Sequence, residues 1–127
     1  LIQYSMAIDR RNRRVAHLYQ GMNPAVIKLI KMTCEAAAKN DIEVVMCGEM
    51  AGDPVNIPFL IGLGLTNFSM NTVSIPVVKK IIRSLDASAT KKAAGHILTL
   101  NTVNEITDYI MEEFKEAMPM HTADKNS

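Results

Sequence analysis

The order of helical and strand patterns is the feature that most limits how this chain can fold. Alternating helices and strands with short connections are typical of parallel βαβ units. Such units cross over right-handedly, so both strands end on the same side of the sheet. The sequence therefore predicts an α/β fold in which the loops after the two strands lie side by side. The predicted elements are a helix over 24–39, a strand over 43–46, a helix from about 56 to 62 or 64, a strand over 67–70 and a helix over 77–83.

Local capping signals fix several helix boundaries. Asn23 followed by Pro24 is typical of an N-cap with proline at the first helical position. A helix over 86–98 begins at an aspartate, which is also a preferred N-cap. The capping-box pattern Thr102–Glu105 predicts a further helix over 102–117. The chain is therefore expected to end in helices that follow the βαβ part.

The composition indicates one soluble domain and gives little help with partners. The chain has 127 residues, of which 48% are apolar and 21% charged. Because 14 Lys and Arg face 13 Asp and Glu, bulk charge gives no case for nucleic acid or an anionic membrane. The longest apolar stretch, Ile57 to Leu65, is too short to span a bilayer. Cys34 and Cys47 lack secretory spacing and predict free thiols in a reducing compartment, so we expect a cytoplasmic protein.

The stretch Val44 to Asp53 carries the densest group of reactive side chains. An apolar run there breaks into a loop that contains one thiol, two acids and two glycines. In parallel α/β folds the carboxyl ends of the strands open onto the space where substrates bind. Cys47, at that end, is therefore the first candidate for chemistry. The alternative is that Cys47 packs as a small hydrophobic residue, as many free cysteines do.

Two other groups of residues are considered as possible binding sites. The basic cluster Asp9–Arg14 could bind an anion, contact RNA or simply be solvated. Solvation is the default for such clusters, although arginine is suited to bidentate phosphate binding. The two cysteines and the histidines at positions 17, 96 and 121 do not fall into any zinc spacing, so no metal site is predicted from them.

Four short motifs resemble one enzyme family. They are Cys-Gly-Glu-Met-Ala-Gly-Asp at 47–53, Asp-Arg at 9–10, Leu-Ile-Gln-Tyr at 1–4 and Phe-Ser-Met-Asn at 68–71. Together they resemble the end of the phosphoenolpyruvate-binding domain of enzyme I of the bacterial sugar phosphotransferase system. The likeness runs from Leu1 to about Arg83 and weakens in the last helices. Pyruvate phosphate dikinase and phosphoenolpyruvate synthase have a related Cys-Gly loop, but Ala51 and the Val-Ala-His-Leu-Tyr of 15–19 are closer to enzyme I.

This resemblance implies a fold and a division of the chain. The expected fold is a (β/α)8 TIM-type barrel, of which the chain supplies the last two strand–helix units over 1–85. Terminal helices over 86–118 and a polar tail over 119–127 would follow, so the barrel in this chain would be incomplete. The chain starts without Met inside an apolar segment, and we expect it to be a carboxyl-terminal piece of a longer protein.

The resemblance also implies roles for particular residues. Arg10 matches the arginine that holds the phosphate of phosphoenolpyruvate, and Cys47 matches the cysteine that protonates the enolate carbon as pyruvate forms. A thiol is largely protonated at neutral pH, so it can supply that proton. Gly48, Glu49 and Asp53 are assigned to supporting the loop and not to a metal. In this family the Mg²⁺ ligands and the phosphorylated histidine lie upstream of the matching segment.

The activity that the resemblance implies belongs to a whole enzyme. Enzyme I moves the phosphoryl group of phosphoenolpyruvate onto its own histidine and then onto a histidine-containing carrier protein, with Mg²⁺ as cofactor, and it works as a homodimer. We expect this chain alone to be inactive. The alternatives are a non-catalytic binding or dimerisation module derived from the barrel, and a piece of a synthase or dikinase relative. One departure from the family is Gly21, which stands where a proline is common.

Overall fold

A parallel pair of short strands lies against a layer of helices. The computed structural model describes residues 1–9 and 11–118, and the bounds that follow refer to those residues. Two short 3-10 turns, Ala16–Leu18 and Pro54–Asn56, lie between the regular elements. The regular elements are α1 (Ile2–Met6), α2 (Pro24–Lys39), β1 (Val45–Cys47), α3 (Glu49–Gly52), α4 (Ile57–Gly62), β2 (Asn67–Ser69), α5 (Ile75–Ser84), α6 (Ala87–Ile97) and α7 (Val103–Glu113).

The sheet confirms the predicted parallel pairing and leaves one face open. The register of β1 and β2 aligns Met46 with Phe68 and Cys47 with Ser69. Met46 and Phe68 pack against the hydrophobic core beneath the helices. Because side chains alternate along a strand, the neighbouring positions lie on the opposite face of the sheet. That open face carries Val45, Cys47, Asn67 and Ser69, and Val45 is 50% exposed.

The predicted helix starts are confirmed where a side chain caps them. Asn23 accepts a hydrogen bond from the backbone N–H of Ala25 at 2.9 Å, and α2 covers the predicted residues. Thr102 and Glu105 form both halves of the capping box at the start of α7. Regular α7 ends at Glu113, four residues before the predicted end, and the segment to Ala117 continues as turns. Capping residues specify a helix start more sharply than its end, where turns fray.

Several local predictions were wrong. Strand β1 was expected over 43–46 but covers Val45–Cys47, and α5 was expected over 77–83 but covers Ile75–Ser84. The segment after β1 was expected to be a loop, but residues Glu49–Gly52 form one helical turn. Strand β2 was expected to reach Met70, but it ends at Ser69. The differences in strand and helix bounds are at element ends, where assignments commonly shift by one or two residues.

One hydrophobic core joins the βαβ part to the terminal helices. It brings together buried side chains from α2, α4, α6 and α7, including Ile27, Phe59, Ile97, Ile106 and Ile110. Each such side chain contributes on the order of 1.5–3 kcal/mol by burial. A smaller cluster of Ile57, Val78 and Ile81 fixes α5. Residues 86–118 therefore pack on the same core as the segment before them.

The observed architecture is a helix-rich, mixed α/β fold with a small parallel sheet. None of the helices in the described part of the chain combines the length and the apolar character needed to cross a membrane.

Candidate functional site

The loop that follows β1 turns sharply at a glycine. We call residues 47–53 the Cys47 loop. Gly48 has a φ of 82° and a ψ of −164°, a conformation that residues with a Cβ rarely adopt. The chain then forms the single turn of α3, whose Ala51 is fully buried and donates its backbone N–H to the carbonyl of Gly48 at 3.2 Å. Cys47 thus remains at the strand end, exposed, while the following turn is fixed against the core.

The sequence-predicted site residues that the structure describes lie around one cavity. This cavity has a volume of about 350 Å³, and we call it the Cys47 cavity. Cys47, Gly48, Glu49 and Asp53 all line it, together with Tyr19, Asn56 and three other residues. Arg10, the predicted phosphate-binding residue, is outside the described residues. The structure therefore brings four of the five predicted site residues together, and the role of each stays a prediction.

A second cavity adjoins the Cys47 loop at the point where β2 ends. Its volume is about 560 Å³, and it is shared by Gly48, Glu49, Gly52 and Asp53 of the loop and by the exit of β2. The β2 exit contributes Ser69, Asn71 and Ser74, whose hydroxyl and amide groups can donate and accept hydrogen bonds. This shared lining confirms the prediction that the two strand exits lie side by side.

The two carboxylates of the loop have different surroundings. The Asp53 carboxylate accepts a hydrogen bond from the backbone N–H of Val55 at 3.1 Å and caps the 3-10 turn Pro54–Asn56. This contact agrees with a loop-supporting role. Glu49 is exposed in the first turn of α3 and faces both cavities. In residues 1–9 and 11–118, no group of three or more His, Cys, Asp or Glu side chains is placed to hold a metal ion.

The two thiols have opposite environments. Cys34 is 9% exposed on the inner face of α2, as expected for a packing residue, and burial raises the pKa of its thiol above the ordinary value of 9.0. Cys47 is exposed and reaches the Cys47 cavity. Packing as a small hydrophobic residue therefore describes Cys34, whereas the Cys47 thiol is open to solvent.

Sequence reasoning did not find the residues that hold the Cys47 loop in place at Met50. Asn56 was read only as the start of a helix, but it is 6% exposed and donates its side-chain amide to the carbonyl of Met50 at 3.3 Å. Gly21 lies against the side chain of Met50. An asparagine in an otherwise apolar run was the available signal for Asn56, since a buried amide needs a partner.

A comparison of the sequence with models of protein families gives a match. Residues 1–87 match the family model described as "PEP-utilising enzyme, PEP-binding domain". This match covers more than half of the chain, so the chain belongs to the family of PEP-utilising enzymes that this model describes.

Within that family the chain is similar to one particular enzyme from several bacteria. It is 46% identical over 115 residues to the phosphoenolpyruvate-protein phosphotransferase of Bacillus subtilis, a match that covers 91% of this chain and 20% of that protein. The enzyme of the same name from Mycoplasma pneumoniae is 46% identical over 116 residues, with the same coverage of each chain. That from Staphylococcus carnosus is 44% identical over 117 residues, or 92% of this chain and 20% of that protein. The chain thus spans about a fifth of the length of these relatives.

Proposed function

We propose that this chain is part of a phosphoenolpyruvate-protein phosphotransferase, enzyme I of the sugar phosphotransferase system. The observation that carries the proposal is the exposed Cys47 at the exit of a parallel strand pair, in a chain 46% identical to a relative of that name. The whole enzyme would take the phosphoryl group of phosphoenolpyruvate onto a histidine and pass it to a histidine-containing carrier protein.

The proposed frame for this activity is a (β/α)8 barrel. The open face of the sheet would form part of the barrel interior, because barrel strands carry helices on one face only. Both strands also have an outer edge that further strands could pair with, since β1 and β2 bond only to each other in the described residues. On this proposal the chain supplies the last two strand–helix units over 1–85, followed by terminal helices over 86–118 and the tail over 119–127.

In the proposed reaction Cys47 acts as the proton donor. When the phosphoryl group leaves the enol oxygen of phosphoenolpyruvate for the enzyme histidine, pyruvate enolate remains. The Cys47 thiol gives its proton to the methylene carbon of the enolate, so pyruvate forms and a thiolate is left, which water reprotonates. A positioned general acid of this kind contributes about 10²–10⁴-fold to a rate. The exposure of Cys47 to the cavity supports the assignment.

Arg10 is proposed to hold the phosphate, and Gly48, Glu49 and Asp53 to support the loop. Phosphoryl transfer depends mainly on positioning and on charge neutralisation, for which arginine is well suited. Mg²⁺ would add to that neutralisation when bound. The described residues do not form a Mg²⁺ site by themselves. In keeping with the family resemblance, we assign its ligands to the part of the enzyme upstream of the segment that this chain matches.

The remaining proposals concern the setting of the whole enzyme. We propose a homodimer in the cytoplasm, with phosphoenolpyruvate and the carrier protein as its partners. The chain alone is expected to release no pyruvate, because it lacks the other groups that the reaction requires.

The test uses a chimera in which this chain replaces the matching fifth of the Bacillus subtilis enzyme. Pyruvate release from phosphoenolpyruvate is measured with Mg²⁺ and carrier protein, after thermal melting has shown that each variant is folded. Cys47→Ser should lower the rate by about 100-fold or more. Cys34→Ala, which changes the buried thiol, should leave the rate within about twofold. Arg10→Ala should lower kcat/KM by at least about tenfold, since a charge-assisted contact to phosphate is lost.

Two results would contradict the proposal. A folded chimera that releases no pyruvate would favour the non-catalytic module. Full activity of the Cys47→Ser chimera would exclude Cys47 as the proton donor.

A further inference from the structure

Met50, in the Cys47 loop, is held by two residues that the catalytic proposal does not use. The first is Asn56, at the end of the 3-10 turn, whose Nδ2 donates to the carbonyl oxygen of Met50 at 3.3 Å. The second is Gly21, because a Cβ built at that position would lie 3.3 Å from both Sδ and Cε of Met50. The main chain and the side chain of Met50 are therefore both restrained.

Asn56 is in an unusual place for a polar side chain. Among the described residues only Asn56 and Thr90 are buried polar residues, and Thr90 bonds within its own helix to the carbonyl of Ala87. The amide of Asn56 instead reaches six residues back along the chain to the Cys47 loop. A buried amide without a partner would cost on the order of 1–3 kcal/mol, so this contact is strongly preferred in the folded state.

The 3-10 turn that carries Asn56 is held by a side-chain cap and by contacts with two helices. Residues Pro54–Asn56 contact both α5 and α7, and the turn begins at the cap formed by Asp53. Asn56 also lines the Cys47 cavity together with Met50 and Cys47. The loop is therefore tied, three residues after the thiol, to a turn that packs on α5 and α7.

We propose that Asn56 and Gly21 position the catalytic thiol by holding Met50. The hydrogen bond from Asn56 fixes the backbone of the Cys47 loop, and the open surface at Gly21 receives the Met50 side chain. Together they set the place and direction of Cys47 at the strand exit. This inference rests on the proposed function of Cys47. It predicts that loosening Met50 impairs proton delivery while leaving the binding of phosphoenolpyruvate largely intact.

The first test is Asn56→Asp in the chimera. Aspartate has nearly the same shape, but an ionised carboxylate cannot donate to the Met50 carbonyl and repels it. The expected result is a kcat lowered by about tenfold or more with KM within about twofold, because a displacement of 1 Å in a reacting group can cost about 100-fold in rate. Asn40→Asp is the matched control, since Asn40 also donates its Nδ2 to a backbone carbonyl, that of Ala36 at 2.7 Å, but in an exposed position.

The second readout is the stereochemical course of protonation, which does not depend on how much enzyme is folded. Phosphoenolpyruvate deuterated on one side of its methylene carbon is converted in tritiated water, and the chirality of the pyruvate methyl group is determined. A thiol held in one place should give mainly one enantiomer. Asn56→Asp should lower that enantiomeric excess by at least about half, whereas Asn40→Asp should preserve it.

A second variant keeps the proposal testable if Asn56→Asp does not fold. Met50→Ala removes the side chain that lies against Gly21 and should lower kcat and the enantiomeric excess in the same way. Met50→Leu keeps apolar bulk there and should retain both. If Met50→Ala, or a folded Asn56→Asp, behaves like its control, the positioning role is wrong. If Cys47→Ser is itself fully active, the proposed function fails instead, so the two failures are distinguishable.

Discussion

At the residue scale, the two cysteines provide a direct measure of the difference between a site thiol and a packing thiol. Burial raises the pKa of Cys34, an effect that the nearby Lys31 partly offsets. Since the thiolate is the nucleophile, Cys34 should react slowly with iodoacetamide near neutral pH. Cys47 is exposed and should react at least about tenfold faster. Peptide mapping by mass spectrometry after timed alkylation measures both rates.

Denaturant provides the control for this comparison. In the unfolded chain both thiols are solvated, so their alkylation rates should become similar. Cys47→Ser should remove only the fast phase of labelling in the folded chain. Equal rates for the two thiols in the folded chain would contradict the difference in burial that separates Cys47 from Cys34.

Glycine at position 62 is required for space and not for an unusual backbone conformation. A Cβ there would overlap the carbonyl oxygen of Thr90 and come within 2.8 Å of the Cβ of Ala94, both on α6. Gly62→Ala should therefore lower the free energy of unfolding by about 1–3 kcal/mol or more, the usual cost of overpacking. Gly95→Ala is the matched control, because a Cβ at that position would meet no atom within 4 Å beyond its chain neighbours and its own helix backbone. It should raise stability by about 0.5–1 kcal/mol. Urea unfolding compares the two, and equal effects would contradict the close contact of α4 with α6.

The residue scale also shows where sequence reasoning stops. Cys47 could be predicted because a strand end, a glycine and a thiol are adjacent in the chain. Gly62 was predicted only as a helix end, and α4 does end there, but its close contact is made with α6, some thirty residues later. The partner of Asn56 depends on how the Cys47 loop folds back, which no local pattern records. Contacts of this kind need the tertiary structure.

At the scale of single elements, the start of α7 makes stability depend on pH. The Glu105 carboxylate accepts hydrogen bonds from the backbone N–H groups of Asn101 and Thr102, at 3.1 and 3.0 Å. These bonds lower the pKa of Glu105 below its ordinary value of 4.5, and the bond from Asn101 has the largest effect. A carboxyl whose pKa is depressed on folding stabilises the fold above its unfolded pKa and loses that contribution as the pH falls through its folded pKa. We therefore expect stability to decline below about pH 4.5 partly through Glu105.

Glu105→Gln tests this expectation without removing the cap. The glutamine carbonyl can accept the same two bonds, so the capping box persists but no longer titrates. Thermal melting between pH 2.5 and 7 should show a smaller acid-induced fall in Tm for Glu105→Gln than for the unmodified chain. Thr102→Ala, by contrast, should cost about 1 kcal/mol throughout that range. Parallel pH profiles for the unmodified chain and Glu105→Gln would show that the carboxylate contributes nothing.

Elements whose signals are local could be predicted well from the sequence. Helix α2 carries both a capping asparagine and a proline at its start, and its predicted bounds are confirmed. The single turn α3 was missed because four residues that follow Gly48 and end in Gly52 carry no periodic pattern. The length of β2 depends on where pairing with β1 ends, which is a property of two segments together.

At the scale of the whole molecule, the open face of the sheet is the feature that links fold and proposed function. Helices cover one face of β1 and β2, while Val45, Cys47, Asn67 and Ser69 lie on the other. The apolar Val73 and Val77 nearby in sequence are 84% and 41% exposed. Apolar side chains and strand edges that lie open in this way are what the proposed barrel would cover. The (β/α)8 barrel itself was predicted only from the family resemblance, because nothing within 127 residues specifies further strands.

Amide hydrogen exchange tests the proposed barrel directly. A strand with an unpaired outer edge exposes half of its N–H groups to water, and these groups exchange rapidly. In the isolated chain we expect fast exchange at the outward-facing amides of β1 and β2, and strong protection in the middle of α2. In the chimera the same strand amides should exchange at least about tenfold more slowly, because neighbouring barrel strands would pair with them. The amides of α7 serve as the internal control, since that helix packs on the core of this chain in both proteins. If the strand amides exchange equally fast in the isolated chain and in the chimera, these strand edges do not pair with further barrel strands. The non-catalytic module would then be the better description of the chain.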